Sequence, residues 1–327
     1  MTNLVDSYSR RLNYMRISVT DRCNLRCKYC VTGTMIPLTH DDILRYEEIH
    51  KVVLAAAGLG VKKVRLTGGE PLVRLHLDRL IELLSTVEGI DEITMTTNGT
   101  LLAKYASELK AAGLKRVNIS LDTFQADKFQ RITGSDRMNE VLEGIEAARN
   151  AGLNPVKINM VVLRGINDDE ILDFARKTIT DGWHVRFIEY MPFTDTLSEM
   201  DTLVPNEEIM EAIQESFGEM VPYYHAAGNG PAKYYQLNGA SGTLGFIGAV
   251  TECFCAECNR FRLTADGKLR PCLLDNDEID IRESLRNGAS IDELAGLIQE
   301  AALIKRKQHH LSENMTASTR PMRQIGG

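Results

Sequence analysis

The sequence predicts an α/β protein, a partial (βα)6 barrel of the TIM type with a smaller α+β C-terminal domain that covers the open side of the barrel. Two observations predict the barrel. Six short β-rich runs in about the first 200 residues are each followed by an amphipathic helical pattern, which is typical of parallel strands joined by helices. Polar residues alternate with apolar ones along all six runs, so one face of the predicted sheet is polar throughout.

Each of the six β-rich runs predicts one strand of the barrel. They are "YMRISVT" from residue 14, "KKVRLTGG" from 62, "EITMTTNG" from 92, "KRVNISLD" from 115, "PVKINMVVLRG" from 155 and "WHVRFIEYM" from 183. Segments such as "YEEIHKVVLAAAG" between them have regularly spaced apolar residues and a final glycine, which predicts helices. An open doubly wound sheet has the same order of elements, but its strands read as continuous apolar runs. The alternation therefore favours a sheet curled around a polar, ligand-filled interior.

Basic residues occur on this polar face in four of the six strands, as Arg16, Arg65, Lys157 and Arg186. The whole chain is acidic, with 38 Lys and Arg against 45 Asp and Glu and a formal charge of −7. Non-specific attraction to nucleic acid or to an anionic membrane is therefore not expected. Arginine forks bind phosphate oxygens, and lysine acts as a point charge. With Arg260 and Arg262, which directly follow a cysteine group near the C-terminus, the convergence of these cations predicts a polyanion and favours a nucleoside triphosphate.

The C-terminal third has a different pattern. A helical segment, "PNEEIMEAIQESFG", precedes β-like pieces in "AKYYQLNG" and "GTLGFIG", and Asp266-Gly267 between alternating residues predicts a hairpin. Two further helical patterns cover 279–287 and 291–306. We therefore divide the chain into a barrel domain, 1–215, and a C-terminal domain, 216–327.

The compartment follows from what the sequence lacks. "MTNLVDSYSRRLNYMR" at the start has no apolar core of a secretion signal, and no segment approaches the roughly 20 apolar residues that span a bilayer. A cytoplasmic location without membrane contact is expected. In that reducing compartment the seven cysteines are not expected to form disulfides, and their grouping favours metal ligation or redox chemistry.

The first cysteine group, "CNLRCKYC", places Cys23, Cys27 and Cys30 in the loop after the first strand, at the end of a barrel where active sites are built. Spacing alone leaves two metals open, because thiolates suit both zinc and iron–sulfur clusters. Zinc would take His40 as a distant fourth ligand. A four-iron cluster held by three thiolates would instead keep one iron free for a small molecule.

The surrounding sequence favours the cluster. "CNLRCKYC" resembles the signature of the radical S-adenosylmethionine (SAM) enzymes, in which SAM chelates the open iron of a 4Fe-4S cluster. "TGGEP" at 67–71 resembles that family's site for the SAM amino group. The resemblance implies that Cys23, Cys27 and Cys30 hold the first cluster. It also implies SAM-binding positions at Tyr29, Gly68, Gly69, Glu70, Ser120 and Met191.

The second cysteine group, "CFCAECNRFRLTADGKLRPC", contains Cys253, Cys255, Cys258 and Cys272. Four thiolates could form a zinc ribbon or a fully ligated cluster. The alternative takes only Cys255, Cys258 and Cys272 as ligands of a second 4Fe-4S cluster with its own open iron. Because "CFC" would require ligands two residues apart, Cys253 is not expected to be a ligand.

This second pattern closely resembles the GTP 3′,8-cyclase family of molybdenum cofactor biosynthesis. The resemblance runs through "YMRISVTDRCNLRCKYC", "VRLTGGEPLVR", "TTNGTLL", "VNISLDT", "VKINMVVLRGIND", "VRFIEYMP" and the terminal "MRQIGG". It implies conversion of GTP to (8S)-3′,8-cyclo-7,8-dihydroguanosine 5′-triphosphate. Reduction of SAM at the first cluster would give a 5′-deoxyadenosyl radical that takes the ribose 3′ hydrogen, and the resulting carbon radical would attack guanine C8.

The resemblance assigns further roles by position. GTP contacts are implied at Arg16, Arg65, Thr96, Lys157, Arg260, Phe261 and Arg262, to which the strand alternation adds Arg186. Catalytic roles are implied for Arg16, Arg260, Arg262, Gly326 and Gly327, since a terminal glycine pair reaches the active site in the family. The second cluster, on Cys255, Cys258 and Cys272, would hold the purine. His309 and His310 are expected on the surface.

The resemblance also implies partners, and two alternative functions have to be considered. The resemblance implies a reducing partner and transfer of the product to cyclic pyranopterin monophosphate synthase, and it is compatible with a homodimer. One alternative is another two-cluster radical SAM enzyme acting on a peptide or a different substrate, which has no need of so basic an interior. A zinc-dependent structural or nucleic-acid-binding protein fits poorly with the acidic balance and the lack of an aromatic-basic stripe.

Overall fold

The computed structural model describes residues 3–30, 37–192, 202–225, 230–309 and 320–326. The strands are β1 (Tyr14–Ser18), β2 (Lys63–Thr67), β3 (Glu92–Thr97), β4 (Arg116–Ser120), β5 (Lys157–Val162), β6 (His184–Glu189), β7 (Met220–Pro222), β8 (Lys233–Leu237), β9 (Thr243–Ile247), β10 (Arg260–Leu263), β11 (Lys268–Arg270) and β12 (Ile279–Asp280). The helices are α1 (Tyr46–Gly58), α2 (Leu77–Ser85), α3 (Leu102–Ala111), α4 (Ala126–Thr133), α5 (Met138–Asn150), α6 (Ile171–Thr180), α7 (Asn206–Phe217), α8 (Arg282–Arg286), α9 (Ile291–Leu303) and α10 (Met322–Ile325). Among the described helices, none is long and apolar enough to cross a membrane.

The first six strands have the order of a barrel. β1 to β6 stand side by side in chain order, and each neighbouring pair is parallel. A doubly wound sheet reverses its strand order at a switch point, whereas this run of strands has no reversal. The predicted partial (βα)6 barrel is therefore confirmed.

The C-terminal part of the chain adds strands at both edges of that run. β9 pairs in parallel with β6, and β8 and β7 continue beyond it. β10 pairs in parallel with β1 and is followed by β11 and β12. The predicted hairpin is present, because β10 and β11 are antiparallel and Gly267 between them has a φ of 79°, where glycine is not strained.

The two predicted domains share this sheet. All 12 strands belong to it, and the predicted boundary at residue 215 lies inside α7, which spans Asn206–Phe217. The division into 1–215 and 216–327 stays a prediction.

The apolar residues of the alternating pattern form the outer face of the barrel. Ile17, Leu66 and Met95 are completely buried there, in one hydrophobic cluster with Ile49 and Val52 of α1. Each such side chain contributes roughly 1.5–3 kcal/mol when it leaves water. The layer between strands and helices therefore supplies the stability that a polar interior cannot.

A buried carboxylate joins the barrel to the C-terminal part. Glu189, the last residue of β6, has no exposed surface. Its carboxylate accepts the backbone N–H of Asn206 at 3.1 Å and those of Val250 and Thr251, each at 3.0 Å. One side chain thus ties β6 to the start of α7 and to the loop after β9.

Replacement of Glu189 by alanine is expected to destabilise the fold by about 3 kcal/mol, because buried N–H donors would lose their acceptor. Anaerobic urea denaturation of the two proteins measures the difference. Glu207→Ala in the exposed first turn of α7 is the matched control and is expected to change stability by less than about 0.5 kcal/mol. Equal effects of the two substitutions would contradict a special role for Glu189.

Candidate active site

The polar face of the barrel lines one cavity that continues into the loops after β1 and β2. The predicted site residues that line it are Arg16, Cys23, Cys27, Tyr29, Cys30, Arg65, Gly68, Gly69, Thr96, Ser120, Lys157, Arg186, Met191, Cys255, Cys258, Arg260, Arg262 and Cys272. Three further predicted residues, Glu70, Phe261 and Gly326, are described but are not part of the lining. Gly327 lies outside the described residues. Residues from both ends of the chain therefore meet around a single space.

The first cysteine group lies in the loop that leaves β1. The Cys23 thiol accepts the N–H of Leu25 at 3.4 Å and the side-chain amide of Asn98, which follows β3, at 3.8 Å. Burial raises the pKa of Cys27 well above its ordinary value and that of Cys30 to about 12. Buried thiols of this kind become thiolates only when a positive metal centre binds them. The donor set fits an iron–sulfur cluster.

The cysteine spacing does not suit a single zinc ion. Tetrahedral zinc, with zinc–sulfur bonds of about 2.3 Å, holds its sulfur ligands about 3.8 Å apart. Within the described residues, one group of three ligand atoms lies within 4.8 Å of one another, and it contains none of Cys23, Cys27 and Cys30. His40, the proposed distant zinc ligand, is exposed and does not line the cavity. A larger centre with well-separated thiolates matches this arrangement.

The two glycines of "TGGEP" allow the loops after β1 and β2 to touch. A Cβ atom on Gly68 would lie 2.6 Å from the Thr20 carbonyl oxygen, and one on Gly69 would lie 3.0 Å from that of Asp21. The backbone N–H of Gly69 donates to Thr20 at 2.8 Å. These glycines therefore hold the cysteine loop against the second strand as well as lining the cavity.

Glu70 lies behind that contact. It is fully buried, and its carboxylate accepts the hydroxyl of Thr97 at 2.7 Å and the N–H groups of Asn98 and Leu72 at 2.6 and 3.0 Å. Burial raises the pKa of Glu70 to about 7. Its contacts position the glycine loop against the end of β3.

Tyr29 lies within the cysteine loop and also lines the cavity. Its hydroxyl donates to Asp122 at 2.6 Å, and the other carboxylate oxygen of Asp122 accepts the N–H of Val161 at 2.9 Å. Burial raises the pKa of Asp122 to about 6, against the lowering effect of those two donors. Ser120, at the end of β4, and Met191, after β6, complete this side of the lining.

The second cysteine group brings three thiols to the same cavity. Cys255, Cys258 and Cys272 line it, whereas Cys253 is exposed and does not. Burial is the largest influence on the pKa of Cys258 and raises it, but Arg260 and Lys305 outweigh that effect and lower the pKa to about 6. A thiolate is thus favoured at this position before any metal binds.

Five arginines face the cavity without an acidic partner. They are Arg16, Arg65, Arg186, Arg260 and Arg262, and no carboxylate in the described part of the chain lies within 4.0 Å of their nitrogen atoms. Neutral groups hold several of them, as when Arg65 donates to the Tyr14 hydroxyl and, at 3.3 Å, to that of Thr96. Desolvating an unpaired charge costs several kcal/mol. A cavity with this excess of positive charge favours an anionic ligand.

Lys157 adds a sixth cation. It is buried at the start of β5, and its ammonium donates to the Tyr234 hydroxyl at 2.7 Å. Burial, followed by repulsion from Arg186, Arg116 and Arg65, lowers the pKa of Lys157 to about 6. The amine is therefore largely neutral at pH 7 until an anion binds beside it.

Two predicted residues act from outside the lining. The Phe261 side chain is buried in the hydrophobic core, on the face of β10 opposite to its neighbouring arginines. Gly326 is buried at the end of α10, and its carbonyl accepts a hydrogen bond from Arg16 at 3.2 Å. Arg320 anchors this tail through Asp266, at 2.9 Å.

The sequence analysis missed several polar residues of the cavity. Arg116 pairs at 2.6 Å with Glu92 on the adjacent strand. Because Arg116 has the same strand parity as Asn118, the polar alternation could have predicted that it faces the cavity. Tyr14 shares the parity of Arg16 in the same way. Tyr234 and Lys305 had no such signal, because each reaches the cavity from an element whose position depends on the tertiary fold.

Comparison with protein families agrees with this site. Residues 17–178 match the model of the radical SAM superfamily, and residues 183–311 match that of the molybdenum cofactor synthesis C-terminal family. Fold and site therefore define a radical SAM protein with a second, C-terminal cysteine centre.

Individual relatives identify the family within the radical SAM superfamily. The chain is 52% identical to the GTP 3′,8-cyclase of Pelotomaculum thermopropionicum, over 98% of this chain and 99% of the relative. It is 49% identical to the GTP 3′,8-cyclase of Moorella thermoacetica, over 98% and 99% respectively. The chain belongs to the GTP 3′,8-cyclase family.

Solved structures support the fold at much lower identity. SuiB of Streptococcus suis bound to S-adenosylmethionine has a TM-score of 0.65 and 16% identity, over 89% of this chain and 69% of that one. The structure of anSMEcpe with bound AdoMet has a TM-score of 0.60 and 18% identity, over 96% and 88%. These likenesses extend across both halves of the chain.

The buried position of Gly326 predicts a steric test of the tail. A Cβ there would overlap the Thr67 hydroxyl and lie 3.2 Å from the Cβ of Ser18, so Gly326→Ala is expected to displace α10. Overpacking of about 1–3 kcal/mol corresponds to a rise of roughly 5-fold to 150-fold in hydrogen exchange at Ile325 and its neighbours.

Gly239→Ala is the matched control for this substitution. Gly239 has a φ of 74° against 75° for Gly326, so both variants carry the same backbone strain, but no atom lies within 4 Å of a Cβ at Gly239. Exchange in the tail is expected to stay unchanged in the control. Equal exchange in the two variants would show that the tail does not need a glycine for steric reasons.

Proposed function

We propose that this chain is a radical SAM enzyme that converts GTP to (8S)-3′,8-cyclo-7,8-dihydroguanosine 5′-triphosphate, the first step of molybdenum cofactor biosynthesis. The observation that carries the proposal is the convergence of two cysteine trios and five unpaired arginines on one cavity. The cysteines suit two 4Fe-4S clusters, and the arginines suit a nucleoside triphosphate. Family membership agrees with both.

The first cluster is held by Cys23, Cys27 and Cys30, and the second by Cys255, Cys258 and Cys272. With SAM bound, the first cluster supplies one-electron reduction of SAM and thereby a 5′-deoxyadenosyl radical. The chain itself keeps the thiols buried and excludes water from the cavity. It also fixes the positions of SAM and GTP between the two cysteine centres.

SAM occupies the side of the cavity lined by Tyr29, Gly68, Gly69, Ser120 and Met191. The backbone of the glycine loop faces this space and offers polar groups to the amino-acid end of SAM. Glu70 acts as a positioning residue, since its buried hydrogen bonds set the course of that loop.

GTP occupies the side lined by the cations. Arg16, Arg65, Lys157, Arg186, Arg260 and Arg262 surround the triphosphate, and Thr96 adds a hydroxyl held by Arg65. Phe261 fixes the strand from which two of these arginines project, since its ring is packed in the core. Gly326 orients Arg16, whose Nε donates to the Gly326 carbonyl. The catalytic role of Gly327 stays a prediction from the sequence.

The rival reading as a peptide-modifying two-cluster enzyme is less well supported, because a peptide gives the arginines no polyanion to bind. A reducing partner, transfer of the product to cyclic pyranopterin monophosphate synthase, homodimer formation and a cytoplasmic location stay predictions from the sequence.

Anaerobic reconstitution is the test of this function. The protein is expected to bind about eight irons with matching acid-labile sulfide, as two four-iron clusters require. With reductant and SAM, formation of 5′-deoxyadenosine is expected to be at least about 100-fold faster with GTP than with ATP or CTP, since a site that hydrogen-bonds the donor and acceptor groups of guanine rejects both adenine and cytosine. Equal rates with all three nucleotides would refute the assigned specificity.

Protonation of Lys157 provides a second test. Its pKa of about 6 in the free enzyme should rise when a triphosphate binds, so at about pH 7.5 binding of GTP should take up as much as one proton. The charged Lys157 ammonium should therefore strengthen GTP binding fully below pH 6, and its contribution to the GTP affinity should decrease as the pH rises above 6. Titration calorimetry in buffers of different ionisation enthalpy measures the uptake.

Lys157→Met is expected to abolish this uptake and to weaken GTP binding. Guanosine, which carries no phosphate, is the matched ligand control and should bind to the unmodified protein without proton uptake. Undiminished uptake in the variant would assign the proton to another group.

A further inference from the structure

Cys253, Cys255 and His309 form a compact group beside the second cysteine centre. One ligand atom from each, two thiol sulfurs and an imidazole nitrogen, lies within 4.8 Å of the others. Cys253 and Cys255 come from the loop between β9 and β10, and His309 comes from the segment after α9. The expectation that His309 lies on the surface is wrong, because it is only 8% exposed; His310 lies outside the described residues.

Local contacts hold the three side chains together. The Cys255 thiol accepts the backbone N–H of His309 and is hydrogen-bonded to the Cys253 thiol. Since Cys253 does not line the central cavity, it has no place among the proposed cluster ligands. It lines a second cleft together with Glu252 and Glu257, and this cleft shares Cys258 and Arg260 with the central cavity. Cys255 and His309 line the central cavity, so the group lies where the two spaces adjoin.

We propose that Cys253, Cys255 and His309 bind one thiophilic divalent cation of the zinc class, at a site that shares Cys255 with the second cluster and no ligand with the first. Two thiolates and an imidazole are ordinary zinc ligands, and bonds of about 2.0–2.3 Å place such ligands about 3.3–3.8 Å apart, within the observed limit. Because Cys253 is exposed, a water molecule can take the fourth coordination position of the ion. Binding releases the two thiol protons to solvent and involves no oxidation or reduction.

The site competes with the second cluster. Cys255 belongs to both ligand sets, and a Cys255 thiolate bound to zinc beside Cys253 and His309 is not available as a terminal ligand of the cluster. This step rests on the proposed function, which assigns Cys255 to the cluster. A zinc ion bound here should therefore block assembly of the second cluster and leave the first, on Cys23, Cys27 and Cys30, unaffected.

Cobalt titration of the apoprotein tests the site itself. The full-length protein carries Cys23→Ser, Cys27→Ser and Cys30→Ser, so that only the C-terminal cysteines report through sulfur-to-cobalt charge-transfer bands. One Co²⁺ per chain is expected, displaced by Zn²⁺. Cys253→Ser and His309→Gln in this background should each weaken binding at least about tenfold, as expected for loss of a direct ligand.

Cys272→Ser is the matched control, because it removes a cluster cysteine outside the group. It should leave cobalt affinity unchanged. If Cys272→Ser weakens binding while Cys253→Ser does not, the ion occupies the cluster cysteines and the proposed site does not exist. Equal affinity in all three variants, or no binding at all, also overturns the proposal.

Iron uptake tests the competition separately. Otherwise unmodified protein preloaded with one Zn²⁺ should incorporate about four irons on reconstitution, whereas Cys253→Ser treated in the same way should incorporate about eight. Equal iron content in the two proteins would overturn the exclusion. Neither experiment contains GTP or SAM, so failure of the proposed catalytic function and failure of the zinc site give different results.

Discussion

Unpaired positive charge inside the barrel is the constraint on which the rest of the structure depends. The net stability of a folded domain is about 5–15 kcal/mol, and each desolvated, unpaired ion costs several kcal/mol. Five arginines without a carboxylate partner therefore favour an anionic ligand in the cavity, and their cost is offset by a large apolar layer elsewhere. The fully buried outer face of the strands supplies that layer, and the strand alternation produces both faces from one pattern.

Strand register brings the two halves of the site together. β10 lies parallel to β1, with Arg260 opposite Tyr14 and Arg262 opposite Arg16. Two arginines that are more than 240 residues from Arg16 in sequence therefore project from the same side of the same sheet as Arg16 itself. Because "CAEC" ends just before β10, that register also sets the position of the second cysteine centre.

Much of the fold followed from local pattern, because period-two alternation and the helical spacing are properties of short segments. The cavity side of Arg65, Lys157 and Arg186 could be predicted for the same reason. The burial of His309 could not, since it depends on packing of a distant segment against the second cysteine group. Glu70 illustrates an intermediate case: its motif was recognised, but only the tertiary structure shows that its carboxylate binds backbone N–H groups rather than the cavity.

The chain between β9 and β10 has a mechanical consequence. β9 extends one edge of the parallel run and β10 the other, so the connection between them passes from edge to edge of the partial barrel and carries Cys255 and Cys258 on the way. A displacement of either edge of the parallel run would therefore be transmitted to the loop that carries Cys255 and Cys258.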